Sequence, residues 1–562
     1  MAKLSVDQTL LKAKSHTKRG EIEEAHKLYQ NVLQAFPNNG RAQKGLEALR
    51  KTKAPATNQN PPQELLDRLL GHFQNGRFDD AEKLAVSITQ KYPRHQVGWK
   101  ALGAIYLETG KTSDSLIPNQ KSVQFAPSDA EAHFSLGNSL KKLGRLDEAE
   151  ASYSRAIALK TDYAEAHNNL GNTLQELGRL DEAEASYMRA LALKPNYAKA
   201  RNNLGNTLQE LGRLDEAEAS YMQALALKPD YAEAYCNLGN ALQELGRLDE
   251  AEARYLQALA LEPEYAAAQH NLVQFLACHN PQKNSSQPIV KVDQEIKEVY
   301  SGEESAGILS DEQIIRLLYK CSNIIKKHGL NLGTELSQTY RHNSVDLNCT
   351  RHMQIFEKFT IIPEFCFGCY KVQIEPRSII ELIKLFVLFN QIKLPKNNIR
   401  KCMVEMRPEV SGFYKGFIYC SSLEEAFQIS DYVDVIIQQR FKSKLPLVVK
   451  RGCSEYSLEF PDYNAINKSG PKLMKYNENW KLIEKDYDSK NPTKYSRRTP
   501  PSPAWLSLSD VLIIRKWIDY AKGLGDPSAQ LLNHTEVVCQ KVYRIAETRM
   551  ETCAWREPSW VK

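Results

Sequence analysis

Four residues of this chain have the type and spacing to hold a metal ion: Cys349-x-x-His352 and, thirteen residues on, Cys366-x-x-Cys369. Two ligands separated by two residues can reach one tetrahedral ion together, and the gap between the pairs is near that of zinc ribbons. Zinc is the ion such a set would take. The competing reading is core packing, because free cysteine is a common buried residue and Phe365 and Phe367 flank Cys366. A redox dithiol at Cys366/Cys369 would lack a following helix N-terminus to stabilise a thiolate. Cys402, Cys420 and Cys453 lie on or beside predicted strands and read as buried filler. Glu375, Glu405 and Arg407, with Arg377 nearby, could line an acid–base or anion site, a solvated salt-bridged face being the other reading. The sequence contains no His-Glu-x-x-His, Walker loop or nucleophile elbow, so no cofactor is expected from its motifs.

A different chemistry is written in asparagine. Asn169, Asn203, Asn237 and Asn271 recur in phase, and so do Asn138, Asn172, Asn206 and Asn240. Asparagine is a poor helix former, so its repetition within predicted helices needs a reason. A carboxamide carries both donors and an acceptor and could grip the amide groups of an extended peptide without reading its side chains. Duplication of near-identical segments would also copy the asparagines without any such role.

The elements that must position these residues follow from a 34-residue period. Gly144, Gly178, Gly212 and Gly246 each sit within "ELGRLDEAEA" or a near copy. In the segment from Ala164, Leu170, Gly171 and Leu174 form one helical stripe that Gly178 ends. Leu180, Ala183, Tyr187 and Ala190 form a second stripe, which stops at Pro195. Asp181 heads the second helix as a cap and dipole partner. Neither helix can hide its stripe alone, so stability must come from stacked neighbours.

The pattern resembles the tetratricopeptide repeat. Copies begin at Ala130, Ala164, Ala198 and Ala232, with Leu-Gly pairs at 136–137, 170–171, 204–205 and 238–239. Second-helix alanines stand at Ala149, Ala183, Ala217 and Ala251, and aromatics at Tyr153, Tyr187, Tyr221 and Tyr255. Pro195, Pro229 and Pro263 close three copies. Degenerate copies precede them, around Trp99 to Pro127 with Pro118 inside a helix, around Gly76 to Pro93, and around Gly20 to Pro37. The resemblance implies an α-solenoid, a superhelix whose first helices line a concave face, and a protein or extended peptide as partner. The repeats look especially like those of protein O-linked N-acetylglucosamine transferases and their bacterial relatives, in which such a ladder holds the acceptor polypeptide. That raises an alternative function, a glycosyltransferase-like protein-modifying enzyme or its accessory subunit, with the array presenting the acceptor. The later sequence has no glycine-rich phosphate loop, and Gly523-Leu-Gly525 followed by Asp526-Pro527 reads as a turn. A binding scaffold is therefore favoured over an enzyme.

Residues 1–50 read as an N-terminal helical hairpin, 51–62 as a linker, 63–129 as degenerate repeats and 130–280 as the regular array with a capping helix. Residues 281–305 read as a polar linker and 306–368 as a helical connector with Ser310 as a cap. Residues 369–454 alternate as β-α-β-β-α-β, a ferredoxin-like α+β domain, and 455–562 as a polar linker with C-terminal helices. The segment from Phe359 to Pro461 also looks like an uncharacterised domain found behind such repeats in bacterial proteins, a likeness that implies no activity.

At 562 residues, with 42% hydrophobic and 25% charged side chains, the composition is that of a multidomain globular chain. The net charge is +6, yet residues 130–265 carry 14 Lys/Arg against 22 Asp/Glu, so the basic excess lies elsewhere. Nucleic acid is not the expected partner. The hydrophobic run Ile379–Leu394 is too short and too polar to span a bilayer, and the eleven cysteines without an export signal fit a cytoplasmic protein with reduced thiols.

Overall fold

The computed structural model describes residues 6–18, 21–52, 60–281, 285–301, 307–334, 336–341, 349–407, 410–441, 443–453, 455–464, 466, 474–490, 506–532 and 539–552. The chain divides into two compact units, Met1–Pro195 and Asn196–Lys562. Most of the expected linker at 51–62 lies outside the described residues.

The first unit is made of antiparallel helix pairs. The regular ones are Ala130–Lys142 with Leu146–Leu159, and Ala164–Glu176 with Leu180–Leu193. Gly178 turns the chain between the last two at φ 77°, a left-handed conformation that a side chain would oppose. The core is small and repetitive: Ala149, Tyr153, Ala156, Ala183, Tyr187 and Ala190 are all fully buried. Asp181 acts through charge in the first turn only, because no side-chain bond caps that helix. Arg179 instead clamps Glu182 with two hydrogen bonds of 2.6 Å. Helix Thr112–Phe125 continues through Pro118 rather than ending there.

The second unit opens with the pairs Ala198–Glu210 with Leu214–Leu227 and Ala232–Glu244 with Leu248–Leu261, followed by Ala266–Leu276. The polar linker expected at 281–305 is corrected by the structure. Pro288–Ser301 is a helix whose Ile289, Val292, Ile296 and Tyr300 form a buried stripe. Its buried Asp293 pairs with Lys297 at 2.7 Å and accepts the backbone N–H of Leu508 at 2.8 Å. Lys297 Nζ donates to the carbonyls of Leu276 and His279, at 2.9 and 3.0 Å. One ion pair thus ties the last array helix to the C-terminal helix Leu508–Gly523.

The α+β part has a five-stranded antiparallel sheet: β1 Gln338–Arg341, β2 Tyr370–Ile374, β3 Arg400–Val404, β4 Tyr414–Cys420 and β5 Leu447–Arg451, in the order β1-β3-β4-β2-β5. Strands β2 to β5 with helices Ile379–Gln391 and Leu423–Phe441 are the expected ferredoxin-like β-α-β-β-α-β. Ser378 caps the first helix as its sequence suggests. β1 corrects the reading of 306–368 as wholly helical. The strand is four polar residues long and gains its order by pairing with β3.

Pairing register places Val372, Ile374, Cys402, Gly416 and Ile418 on one face. At Gly416 a Cβ would stand 2.4 Å from Leu385 Cδ2, so helix Ile379–Gln391 lies tight against that face. Helix Leu508–Gly523 packs beside it, its buried Trp517 meeting Phe386 and donating to the Ser337 carbonyl at 2.7 Å. Gly525, at φ 72°, makes the turn expected after this helix. No helix among the described residues is long and apolar enough to cross a membrane.

Candidate functional site

Every regular first helix brings a glycine under a tyrosine of its partner helix. A Cβ at Gly137 or Gly171 would stand 2.7 Å from Tyr153 or Tyr187 Cε1, so only hydrogen fits. The close approach carries each hydroxyl to the next residue of the first helix. In the first unit, Tyr153 donates to Asn138 Oδ1 at 2.7 Å and Tyr187 to Asn172 Oδ1 at 2.6 Å. In the second unit, Tyr221 donates to Asn206 Oδ1 at 2.7 Å and Tyr255 to Asn240 Oδ1 at 2.9 Å. Burial raises the pKa of Tyr153 and Tyr221, so both hydroxyls remain donors.

The in-phase asparagines divide into two rows with different bonds. Asn169 donates to Asn138 Oδ1 at 2.9 Å, linking consecutive repeats of the first unit, and accepts from Asn168 at 3.1 Å. In the second unit Asn271 donates to Asn240 Oδ1 at 3.0 Å and Asn237 to Asn202 Oδ1 at 3.1 Å. Asn203 is buried, whereas the other seven asparagines of the two rows are half-buried. Asn169, Asn237 and Asn271 therefore spend an N–H on neighbouring repeats. Asn138, Asn172, Asn206 and Asn240 have their oxygens pinned by tyrosine, which fixes the direction of their Nδ2 donors. The tyrosines stand out in the sequence only as the repeat's aromatics, and the partners Asn168 and Asn202 were not singled out, although their 34-residue phase is the signal that could have found them.

Cys349, His352, Cys366 and Cys369 do come together, around a cavity of about 30 Å³ also lined by Lys371, Tyr419, Cys453 and Tyr456. Cys453, read from sequence as filler, is thus part of this wall. The His352 ring lies nearly parallel to Phe365, with centroids 5.2 Å apart and planes 22° apart. Tyr456 Oη is 3.4 Å from Cys366 Sγ, and Lys371 Nζ donates to Cys453 Sγ at 3.9 Å. Burial pushes the Cys366 thiol far up and that of Cys369 up to about 11. Among the described residues, no three His, Cys, Asp or Glu side chains already converge as they would on a bound ion.

On the sheet face away from Gly416, Lys371, Lys401 and Lys450 stand 5.4, 6.0 and 5.4 Å from the Phe417 ring centroid. Burial, and then the neighbouring Lys371, pull Lys450 down to about 7 and Lys401 down to about 8. Glu405, which is 1% exposed, is clamped by Arg407 at 2.7 and 2.8 Å and by Lys415 at 3.1 Å. This is an ion pair as expected, but a buried one rather than a solvated one. Glu375 accepts from Gln373, and Arg377 donates to the Lys444 carbonyl, so neither joins the Glu405 cluster through these bonds.

Residues 137–178 and 205–246 match the TPR repeat family, and 164–197, 186–219 and 232–265 match tetratricopeptide repeat families. This stretch of the chain is a tetratricopeptide repeat array. No curated protein matches the sequence. Among solved structures, MamA is similar at 27% identity and a TM-score of 0.27, covering 29% of this chain and 96% of its own. A thermophilic TPR protein of Thermus thermophilus is similar at 26% identity and a TM-score of 0.30, covering 32% and 99%. YrrB, described as a TPR protein with an unusual peptide-binding site, is similar at 20% identity and a TM-score of 0.28, covering 33% and 96%.

Proposed function

We propose that the tetratricopeptide repeats are protein-interaction scaffolds, and that within each unit they take an extended polypeptide along their first helices. The observation that carries this reading is a pair of held carboxamides in each unit, Asn138 and Asn172 in the first and Asn206 and Asn240 in the second, whose oxygens are held by buried tyrosines at 2.6 to 2.9 Å. Carboxamides oriented before a ligand arrives lose little freedom on binding, and their N–H groups match the carbonyls of a peptide main chain. Asn169, Asn237 and Asn271 support this arrangement by joining consecutive repeats, Asn169 and Asn271 through the oxygens of Asn138 and Asn240 themselves. Recognition of this kind favours extended conformation over a particular side-chain sequence.

Selection of random peptides on the full chain tests the reading. Enriched peptides are expected to share extended conformation with loose side-chain preferences, and to weaken when backbone amides are replaced by esters, whose carbonyls accept hydrogen bonds poorly. Failure to enrich any peptide, or affinity untouched by ester replacement, would contradict it.

A further inference from the structure

Five soft or nitrogen ligands reach one small cavity from separate stretches of chain. Cys349 and His352 come from helix Cys349–Phe359, Cys366 from the short helix Glu364–Phe367, Cys369 from just before β2 and Cys453 from just after β5. The cradle is held from several sides. Gly452 N–H donates to the Cys369 carbonyl at 2.7 Å, setting the two thiol-bearing segments side by side. Tyr463, fully buried, donates to the Cys366 carbonyl at 2.7 Å, and its hydroxyl fills the place a Cβ on Gly452 would need.

A second observation is electrostatic. Lys371 lines the cavity, and Lys371, Lys401 and Lys450 crowd around Phe417 on the adjoining sheet face. The Glu405 carboxylate on that face is already engaged by Arg407 and Lys415. Like charges so close, on a half-buried face, repel one another, and an anionic group beside them would offset the repulsion. Four thiolates around a divalent cation form such a group, with two more negative charges than positive ones.

We propose that Cys349, Cys366, Cys369 and Cys453 hold a single thiophilic divalent cation, with Lys371 and Tyr456 donating hydrogen bonds to its sulfur ligands. All-sulfur tetrahedral ligation selects zinc among common divalent ions, and a cavity of about 30 Å³ suits one ion rather than a multi-iron cluster. The thiols release their protons to solvent as the ion enters. Closure requires the sulfurs to turn about χ1, the torsion that directs a cysteine side chain. His352, flat on Phe365, forms a wall of the site rather than a ligand. Donors to the sulfurs tune such sites as strongly as their outer shell does elsewhere, by about 10- to 100-fold in affinity.

The full chain, purified under reducing conditions and reconstituted with zinc, is assayed for zinc and iron by elemental analysis and then titrated with cobalt. About one zinc per chain is expected, with a cobalt spectrum that shows tetrahedral thiolate ligation. Cys369→Ser and Cys453→Ser should each lose the ion, His352→Gln should keep it, and Lys371→Met should weaken it about tenfold or more. Absence of zinc from folded chain, iron in its place, retention of zinc by Cys453→Ser, or its loss from His352→Gln would each overturn the assignment. Should a serine variant fail to fold, the number of thiolates in the cobalt spectrum of the unaltered chain decides: four support the site, and fewer contradict it.

Discussion

The hydroxyl of Tyr187 meets Asn172 Oδ1 at 2.6 Å because Gly171 lets the tyrosine ring occupy the space of a missing Cβ. The repeated Leu-Gly pair and the repeated tyrosine are therefore one device, and the asparagine after the glycine is its output. The same contact sets both the packing of each hairpin and the direction of its carboxamide.

Gly171→Ala should destabilise the first unit by about 2 kcal/mol, since a fully buried ring must shift to admit the methyl group. Tyr187→Phe keeps the ring and removes the hydroxyl, and should cost about 1 kcal/mol. Denaturant unfolding, with hydrogen exchange to localise the loss, separates the two.

Lys297→Met leaves Asp293 buried without its cation. Burial already pushes the Asp293 carboxyl up to about 6 against the pull of Lys297, and loss of the lysine should raise it further. A carboxyl raised in the folded state binds its proton more tightly there than in the unfolded chain, so folding weakens as pH rises. The variant should lose about 3 kcal/mol at neutral pH and less near pH 5, where the carboxyl can stay protonated. Unfolding measured at both pH values checks the sign.

Glu405 should behave in the opposite sense. Burial opposes its ionisation, but Arg407 and Lys415 outweigh burial and hold it down to about 2. Its contribution is present above the ordinary carboxylate range and is lost as pH falls toward 2. Glu405→Gln should cost about 3 kcal/mol at pH 7 and flatten the acid limb of a stability-versus-pH curve.

The array was legible because one 34-residue period repeats its glycines, tyrosines and prolines, and each periodic residue has a steric job. The sheet order was legible from capped helices between alternating strands. Three features were not. Helix Pro288–Ser301 mixes its buried stripe with Lys291, Asp293 and Lys297, and two of these, Asp293 and Lys297, turn inward, pair with each other and bond the backbone of neighbouring elements. β1 is too short to show alternation, and only its partner β3 orders it. Helix Trp480–Lys490 lies in a polar stretch, yet its Glu484 and Asp488 bind Arg351 at 3.3 and 2.7 Å. The place of Cys453 was not legible for a related reason: local sequence puts it beside a strand, and only tertiary structure brings it to the cavity wall that Cys366 and Cys369 share. The two asparagine rows were found together, but their division depends on which neighbour each carboxamide meets.

The most direct measurement is calorimetric affinity for a selected peptide, comparing the unaltered chain with Asn206→Ala/Asn240→Ala. Loss of two oriented donors should weaken binding about tenfold or more while circular dichroism stays unchanged. Equal affinity in the folded double variant would contradict a carboxamide grip on the peptide main chain.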